Sequence, residues 1–385
     1  MFIFTVTLTG ILNNTLVTPA IPDILADLAV SDARAGLLVA SGSVAGIVVA
    51  PLVGFLADRL GRRVVLTTCL TIFGTFGLVA ALAPSFPVLL TARFLQGVGT
   101  AGLINLAVVI IGDHWRGADR TRMIGRNSAV LTVGLAGLPL LSGAVTEAFG
   151  WRVTFGIYSV ALGTAVAAFL VLDPWRPPDP PAVKQQLRDA AAVVSRPQTF
   201  ITFIIGFLVF IIIFGLFLTV FPLHLARSFG MDAGSRGVMI SVPAITSTLT
   251  AFNLGRIRTW LSVRMVVLAG SVAFFVAFVS LGLAGAVPIL VGAALVFGLG
   301  EGVLIPTIQD RAIDTAPDEH RAAVLAVWVG AARLGQTVGP LLAAVALIVW
   351  EPATTLVVGS TVALVMLSIG LLGPITRPAR SPRVK

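Results

Sequence analysis

The sequence predicts an all-α membrane protein in which twelve transmembrane helices form two pseudo-symmetric halves of six helices each. Of its 385 residues, 57% are apolar and 11% are charged, whereas soluble domains carry about a quarter charged residues. The apolar runs provide room for twelve crossings at about 20 residues each. The two halves also align with each other at one constant offset. This composition excludes soluble globular, disordered and disulfide-stapled secreted proteins.

Apolar runs between charged residues and turn formers define the spans, which we number 1 to 12 in chain order. In the first half they cover residues 2–21, 34–57, 64–83, 87–111, 125–147 and 152–172. In the second half they cover residues 200–222, 236–254, 263–284, 287–308, 322–347 and 352–373. The predicted domains are an N-terminal half at 1–173, a cytoplasmic linker at 174–199, a C-terminal half at 200–374 and a basic cytoplasmic tail at 375–385.

The positions of the basic residues predict the orientation of the spans. Of the 26 Lys and Arg residues, 20 lie in loops and tails on the side of both termini. The opposite side carries Arg34, Arg152, Arg227 and Arg236. Because basic loops remain in the cytoplasm, we expect both termini in the cytoplasm and a multi-pass protein of the inner or plasma membrane. The net charge of +9 then faces anionic lipid head groups, and nucleic acid is not an expected partner.

An internal repeat relates the two halves. A shift of 201 residues places Gly54 on Gly255 and Pro139 on Pro340 without a gap. Other pairs at this offset are Arg63 with Arg264, Gly97 with Gly298, Asp113 with Asp314, and Gly134 with Gly335. Two halves in the same orientation, with a site between them, are typical of carriers that work by alternating access.

Two motifs resemble those of the major facilitator superfamily. The loop after span 2 reads Gly54-Phe-Leu-Ala-Asp58-Arg59-Leu-Gly61-Arg62-Arg63, which is similar to the signature loop of that family. Span 4 contains Arg93-Phe-Leu-Gln96-Gly97-Val-Gly99-Thr-Ala101, which resembles the second motif of the family. The resemblance implies the fold of this superfamily (MFS fold), with the 12-helix drug/proton antiporters as the most similar group.

The signature loop implies a conformational gate. The gating candidates are Gly54, Asp58, Arg59, Gly61, Arg62, Arg63 and Asp113. We expect Gly54 to let two helices approach closely and Asp58 to lie against a helix N-terminus, which the resemblance identifies as that of span 11 in one of two states. Arg59 and Arg63 are expected to pair with Asp113. The alternative is that these charges only set the topology.

Three charged residues lie well inside the spans, namely Arg93, Glu301 and Arg333. A buried ionisable group is costly and is therefore a functional candidate, so all three are candidates for proton coupling. Glu301 and Arg333 differ in depth by roughly 6 Å at the helical rise of 1.5 Å per residue. Glu301 is thus either the group that binds and releases a proton or one partner of a static pair with Arg333. Arg93 keeps its proton, and the resemblance implies that it influences proton movement.

Several polar and aromatic residues are candidates for a substrate cavity. They are Asn13, Asn14, Gln96, Asn105, Phe210, Phe214, Asn253 and Gln336. Six phenylalanines from Phe203 to Phe221 form one face of span 7. This face either packs against other helices or lipid, or binds flat apolar compounds.

Spans 5 and 11 carry versions of the antiporter motif G-x-x-x-G-P-x-x-G-G. Span 5 has Gly134-x-x-x-Leu138-Pro139-x-x-Ser142-Gly143, and span 11 has Gly335-x-x-x-Gly339-Pro340-x-x-Ala343-Ala344. We expect these helices to pack across the interface between the halves. The motif favours export.

The sequence therefore predicts a secondary active transporter that exports small amphipathic or drug-like compounds in exchange for protons, and not an enzyme. Without a nucleotide-binding loop or clustered metal ligands (His114, His224 and His320 are scattered), the proton gradient is the expected driving force, with no cofactor and no metal. We expect a monomer. One alternative is an ion-coupled carrier of a small organic anion, bound by Arg93 and Arg333. Another is a receptor or scaffold that no longer transports.

Overall fold

The computed structural model describes residues 2–174, 197–314 and 321–373, and these residues form helices and short connections without a β-strand. Eleven helices are long and apolar enough to cross a membrane, and a bent helix pair at Ala233–Phe252 and Leu254–Trp260 supplies the twelfth crossing. The predicted all-α, twelve-helix architecture is therefore confirmed. Most of the predicted linker and the basic tail lie outside the described residues.

In the N-terminal half, the helices follow the predicted spans. Span 1 comprises Phe2–Thr15, a 3₁₀ turn at Thr18–Ala20 and Ile21–Asp27; span 2, a turn at Asp32–Arg34 and Ala35–Leu60; span 3, Arg62–Ala81; span 4, Phe86–Thr100 and Leu103–His114; span 5, Gly117–Phe149; span 6, Trp151–Gly156, Ile157–Ser159 and Val160–Val171.

In the C-terminal half, two spans are irregular. Span 7 comprises Pro197–Ile211, a π-helix at Ile212–Val220 and Phe221–Phe229; span 8, Ala233–Ser241, Pro243–Phe252 and Leu254–Trp260; span 9, Val263–Gly282; span 10, Val287–Asp314; span 11, Arg321–Val349; span 12, Pro352–Gly359 and Thr361–Leu372. The pieces of span 8 on either side of Asn253 meet at 61°.

Several helices are longer than the apolar runs that predicted them. Span 5 begins at Gly117 rather than at residue 125, and its added turns expose Arg120 and Arg122. These turns continue the helix beyond the hydrocarbon region, where charged side chains reach water. Hydropathy reports the width of the bilayer and not the end of the helix.

We call the side on which span 1 begins the inner side and the opposite side the outer side. At the outer side, spans 2 and 11 touch where a Cβ on Gly36 would collide with the carbonyl oxygen of Pro340. Spans 5 and 8 touch where a Cβ on Gly237 would lie 2.5 Å from the carbonyl oxygen of Pro139. The two contacts are equivalent under the shift of 201 residues, and they confirm that the antiporter-motif helices pack across the interface. We name them together the outer seam.

Ion pairs between the halves reinforce the outer seam. The Arg236 side chain is buried; its Nε donates to the carbonyl of Pro19 at 2.9 Å and its Nη2 to the carboxylate of Asp23. Arg227 donates twice to Asp32, at 3.0 and 2.7 Å. Next to Arg236, the Asp232 carboxylate accepts from the backbone N–H of Ser235, which lowers the pKa of that carboxyl below its usual range.

The inner side is open. A Cβ on Gly54 in span 2, or on Gly255 in span 8, would meet no atom within 4 Å. Phe252 and Trp260, on the inner part of span 8, are each 83% exposed. With the outer side sealed and the inner ends apart, the described chain has an inward-open conformation.

Candidate transport site

Arg93 in span 4 is fully buried and lies at the centre of a hydrogen-bonded network. Its Nη1 donates to Gln96 Oε1 at 2.6 Å and to the Tyr158 hydroxyl at 3.4 Å. Its Nη2 donates to the carbonyl of Asn13 at 2.8 Å and to Asn14 Oδ1 at 3.4 Å. Among the described residues, no carboxylate pairs with Arg93. Neutral acceptors from spans 1, 4 and 6 therefore compensate its charge.

Glycines make room for this network. A Cβ on Gly42 in span 2 would lie 2.5 Å from Arg93 Nη2, and the Gly42 carbonyl accepts from Asn13 Nδ2 at 2.9 Å. Arg93 Nε, Gln96 Nε2 and Asn13 Oδ1 are buried without a hydrogen-bond partner. The network joins spans 1, 2, 4 and 6, and Arg93 is fully buried within it. The expected contact of Arg93 with an anionic substrate stays a prediction.

Glu301 lies at the middle of the helix Val287–Asp314 and is half-buried. Span 8 packs against this part of span 10. On either side of Glu301, Gly298 and Gly302 bring the two backbones together: a Cβ on Gly302 would lie 2.7 Å from the Cα of Ser247. Glu301 thus lies between two helices of the C-terminal half, with part of its surface accessible.

Arg333 in span 11 is also half-buried, and it lies at the interface between the halves. A Cβ on Gly46 in span 2 would lie 3.5 Å from Arg333 Cδ. Arg333 Nη1 donates to Gln336 Oε1 at 3.3 Å. The ion pairs of the described residues do not include Glu301 with Arg333. The hypothesis of a static pair between them is wrong for this conformation.

The predicted gate residues cluster around Arg62 rather than around Arg59 or Arg63. Arg62 Nη1 donates to Asp58 at 2.5 Å, and Arg62 Nε donates to Asp113 at 3.2 Å. The two neighbouring arginines instead lie over aromatic rings, Arg59 on Phe55 and Arg63 on Phe169, each 3.9 Å from the ring centroid. The expected pairing of Arg59 and Arg63 with Asp113 is therefore wrong.

Two glycines of the gate loop differ in role. Gly61 has φ 91° and ψ 151°, a backbone conformation that glycine adopts at little cost, and it separates spans 2 and 3. Gly54 was expected to mark a close helix contact, but it faces open space in this conformation. The inner ends of the helices are apart here, so that expectation is wrong for the inward-open state.

The cavity candidates fall into buried, half-buried and exposed groups. Asn13 and Gln96 belong to the Arg93 network, whereas Asn105 and Asn253 are exposed and Asn253 Nδ2 donates to the Leu249 carbonyl at 2.8 Å. Phe210 and Phe214 are half-buried, with ring centroids 6.2 Å apart. Phe217 and Phe221, the outer members of the phenylalanine face, are buried in the helix packing, and so is Phe203 at the inner end. The packing interpretation is thus confirmed for these three.

Tyr158 is a functional candidate that the sequence motifs do not indicate. It is the one tyrosine of the chain, and its hydroxyl also donates to the carbonyls of Leu12 and Asn13 at 3.3 and 3.1 Å. A solitary tyrosine in an apolar span was a signal that could have indicated a polar contact.

Two equivalent helical halves that enclose isolated charges in the middle of the membrane define a membrane carrier. The Major Facilitator Superfamily model matches residues 3–257 and 202–385. The chain therefore belongs to this family, as its motifs predicted, and it is a multi-pass transporter and not an enzyme.

Similar proteins include exporters. The chain is 24% identical over 342 residues to the bacillibactin exporter of Bacillus subtilis (strain 168), covering 86% of this chain and 85% of the relative. It is 27% identical over 247 residues to multidrug resistance protein 1 of the same organism, covering 64% and 63% of the two chains.

Among solved structures, the fold is similar to an inward-facing, unoccupied bacterial homologue of the human lysosomal transporter Spinster, with a TM-score of 0.77 at 18% identity over 96% of this chain and 94% of the other. The nucleoside transporter NupG gives a TM-score of 0.77 at 15% identity over 96% and 98%. At these identities, the likeness shows the fold alone.

Proposed function

We propose that this chain exports small amphipathic or drug-like compounds across the inner or plasma membrane in exchange for protons. Glu301 is the proposed proton carrier, and both termini are proposed to be cytoplasmic, which makes the inner side cytoplasmic. The observation that carries the proposal is the placement of Glu301: a half-buried carboxylate at the middle of span 10 that neither arginine of the membrane interior neutralises.

Competition at Glu301 provides the coupling. A carboxylate in an apolar setting is stabilised by binding a proton, and a substrate that favours the ionised form displaces that proton. Export then requires that the outward-open form releases substrate and takes up a proton, while the inward-open form does the reverse. A ligand drives this exchange only by its difference in affinity for the two states.

The names of two relatives support the direction of transport. One is called an exporter and the other a multidrug resistance protein. The outer seam and the Arg62 cluster lie at opposite ends of the molecule, as alternating gates require. The hydrogen bonds around Arg93, in contrast, join helices within the N-terminal half. We propose that the protein acts as a monomer, with protons and one small molecule as its partners.

Reconstituted liposomes test the proposal. Vesicles containing the protein are loaded with a library of dyes and drug-like compounds, a pH gradient is imposed, and flux is measured for wild type and Glu301→Gln. We expect gradient-driven flux in wild type and flux without pH dependence in Glu301→Gln. The matched control is Glu351→Gln, which removes an exposed carboxylate at the outer end of span 12. Flux in Glu301→Gln that still follows the pH gradient would refute the role of Glu301.

A second candidate function is ion-coupled transport of a small organic anion. It rests on Arg333, which lies in the membrane interior without a carboxylate partner among the described residues. An anionic group bound there would compensate the cost of its charge. This candidate predicts that Arg333→Gln abolishes the uptake or exchange of aromatic carboxylates, while Arg264→Gln at the inner end of span 9 does not. Loss of neutral-compound flux to the same extent would argue against it.

A further inference from the structure

The two arginines of the membrane interior lie against one face of span 2. A Cβ on Gly42 would lie 3.1 Å from Arg93 Cζ, and a Cβ on Gly46 would lie 3.7 Å from Arg333 Cζ. Cβ atoms four residues apart on a helix are about 5–6 Å from each other. The two guanidinium carbons, one from each half of the molecule, therefore lie within about 13 Å of each other.

No carboxylate of the described chain cancels these two charges. The ion pairs of the described residues include neither Arg93 nor Arg333. Arg93 donates to amide, hydroxyl and backbone oxygens, and Arg333 donates to the amide oxygen of Gln336. Such neutral acceptors stabilise a guanidinium without cancelling its charge. This face of span 2 therefore has a positive potential, which is strong where the dielectric constant is low.

Asn14 is the part of the Arg93 network that remains accessible. It is half-buried, whereas Asn13 and Gln96 are buried. Asn14 Oδ1 accepts from Arg93 Nη2 at 3.4 Å, and Asn14 Nδ2 donates to Ser43 Oγ at 3.4 Å. Both hydrogen bonds are longer than is usual for N–H···O contacts. The amide can therefore turn toward another polar group at little cost.

The accessible side of Asn14 opens to the space between the halves. Span 1 lies between span 2, where Ser43 accepts from Asn14, and span 5, where a Cβ on Gly134 would collide with Ile11 one turn before Asn14. Spans 2 and 5 are also the two helices of the N-terminal half that form the outer seam. A compound in the inward-open space therefore meets the Asn14 amide in front of the buried Arg93.

Resting on the proposed export function, we propose that Asn14 determines the charge preference of the transported compounds, which are neutral or anionic and not cationic. The Asn14 amide forms hydrogen bonds with a polar group of the compound. Arg93 behind it and Arg333 across the interface repel a positive charge at the same place, because like charges interact strongly in a medium of low dielectric constant. An uncharged side chain at position 14 is what leaves this repulsion in place.

The test is flux in proteoliposomes under a fixed pH gradient, with the membrane potential held at zero. The compound library is sorted by net charge and completed with naphthylacetate, naphthylacetamide and a naphthylmethyl-trimethylammonium salt. We expect wild type to transport the carboxylate and the amide at least about tenfold faster than the ammonium compound. Asn14→Asp should change the ratio of ammonium to carboxylate flux at least about tenfold in favour of the ammonium compound, because the new carboxylate cancels the charge of Arg93.

Three variants separate charge from structure. Asn14→Ser removes the amide without adding a charge, so it should lower the flux of all three compounds and leave their ratio unchanged. Gln198→Glu adds a carboxylate at the inner end of span 7 and should also leave the ratio unchanged. Gln96→Glu adds one on the buried side of Arg93, so it should shift the ratio in the same direction as Asn14→Asp.

Two results would overturn the inference. One is a wild-type protein that transports the ammonium compound as fast as the carboxylate, or whose transported library compounds are mostly cations. The other is an unchanged ratio in both Asn14→Asp and Gln96→Glu. If either occurs while Glu301→Gln abolishes the pH dependence of flux, the inference fails and the proposed function stands. If wild type transports no compound in response to the pH gradient, the proposed function itself fails.

Discussion

The two halves share one helical plan but carry opposite chemistry at equivalent positions. In span 4, Gln96 accepts from Arg93 at 2.6 Å. At the equivalent positions of span 10, 201 residues later, stand Phe297 and Ala294. Phe297 stacks on Phe217 with ring centroids 4.3 Å apart. The hydrogen-bonded Arg93 of the N-terminal half thus corresponds to a region of packed aromatic rings in the C-terminal half.

Glu301 shows the opposite difference between the halves: the C-terminal half has the charge, and the equivalent residue of the N-terminal half is the uncharged Thr100. Thr100 Oγ1 donates to the carbonyl of Gly10 at 3.2 Å, a contact within the N-terminal half. The N-terminal half uses its buried charge for packing, whereas Glu301 and Arg333 of the C-terminal half are half-buried. This difference supports the proposal that proton exchange takes place in the C-terminal half.

Among the substitutions that distinguish the two halves, Arg93→Ala should be the most damaging. It removes four hydrogen bonds from a buried charged group, and such bonds contribute about 1.5–3 kcal/mol each. We expect a loss of stability of at least about 3 kcal/mol and loss of transport, measured as thermal unfolding of the detergent-purified protein. Arg93→Lys should not restore the protein, because an ammonium lacks the planar fork of the guanidinium.

Arg333→Ala is the control for that result, since Arg333 has a single long side-chain hydrogen bond. We expect it to change stability by less than about 1 kcal/mol. Equal destabilisation by the two substitutions would contradict the distinction between a bracing and an accessible arginine.

Gly237→Val and Gly36→Val are expected to have the next largest effects, and equal ones, because the two glycines occupy equivalent contacts of the outer seam. A side chain there prevents outer closure, so we expect transport to fall at least about tenfold, the consequence of a 1.4 kcal/mol bias against the inward-open state. Gly163→Val, in span 6 with no atom within 4 Å of its Cβ, is the matched control.

The accessibility of Asn253→Cys to a membrane-impermeant thiol reagent reports the same change. The measurement uses a Cys69→Ser background, because Cys69 is the one cysteine of the chain. Labelling from the inner side should slow in both seam variants. Different behaviour of Gly237→Val and Gly36→Val would show that the two contacts are not equivalent in closure.

The ion pairs of the outer side should have smaller effects, and in a fixed order. Arg236 is buried and donates to two groups of the N-terminal half, so Arg236→Ala should bias the equilibrium by about 1.5–3 kcal/mol. The Arg227 and Asp32 side chains are more exposed, at 52% and 23%, and pairs of this kind contribute about 0.2–1 kcal/mol.

The rate of Asn253→Cys labelling measures the effects of Arg236→Ala and Arg227→Ala on one scale. Exchange of the two charges, Arg227→Asp with Asp32→Arg, should return the rate to that of the parent protein. An effect of Arg227→Ala larger than that of Arg236→Ala would contradict the assignment of Arg236 as the main cross-half contact.

The sequence was sufficient to predict the twelve spans, the repeat and the helices that form the outer seam, because these depend on periodic apolar runs and on small residues. It also identified Arg93, Glu301 and Arg333 as the charges of the membrane interior. It did not predict which side chains they contact. Whether Glu301 and Arg333 form an ion pair depends on helix rotation, and a depth estimate along one axis does not contain that rotation.

In the gate loop too, the sequence identified the charged residues but not the pairs that they form. The motif identified Asp58 and Asp113 as acidic partners, but three arginines compete for them. Arg62 begins span 3 directly after Gly61, and this places it between the two carboxylates, while Arg59 and Arg63 point toward rings. The difference arises from the local backbone at Gly61, which residue spacing does not describe.

Proton release on substrate binding shows whether Glu301 gives up a proton when a compound binds. Detergent-purified protein in a weakly buffered solution near neutral pH is mixed with a transported compound, and the released protons are counted with a pH indicator. We expect release in wild type and in Arg333→Gln, and none in Glu301→Gln, with binding of the compound confirmed for each. Undiminished proton release by a Glu301→Gln variant that binds the compound would contradict this expectation.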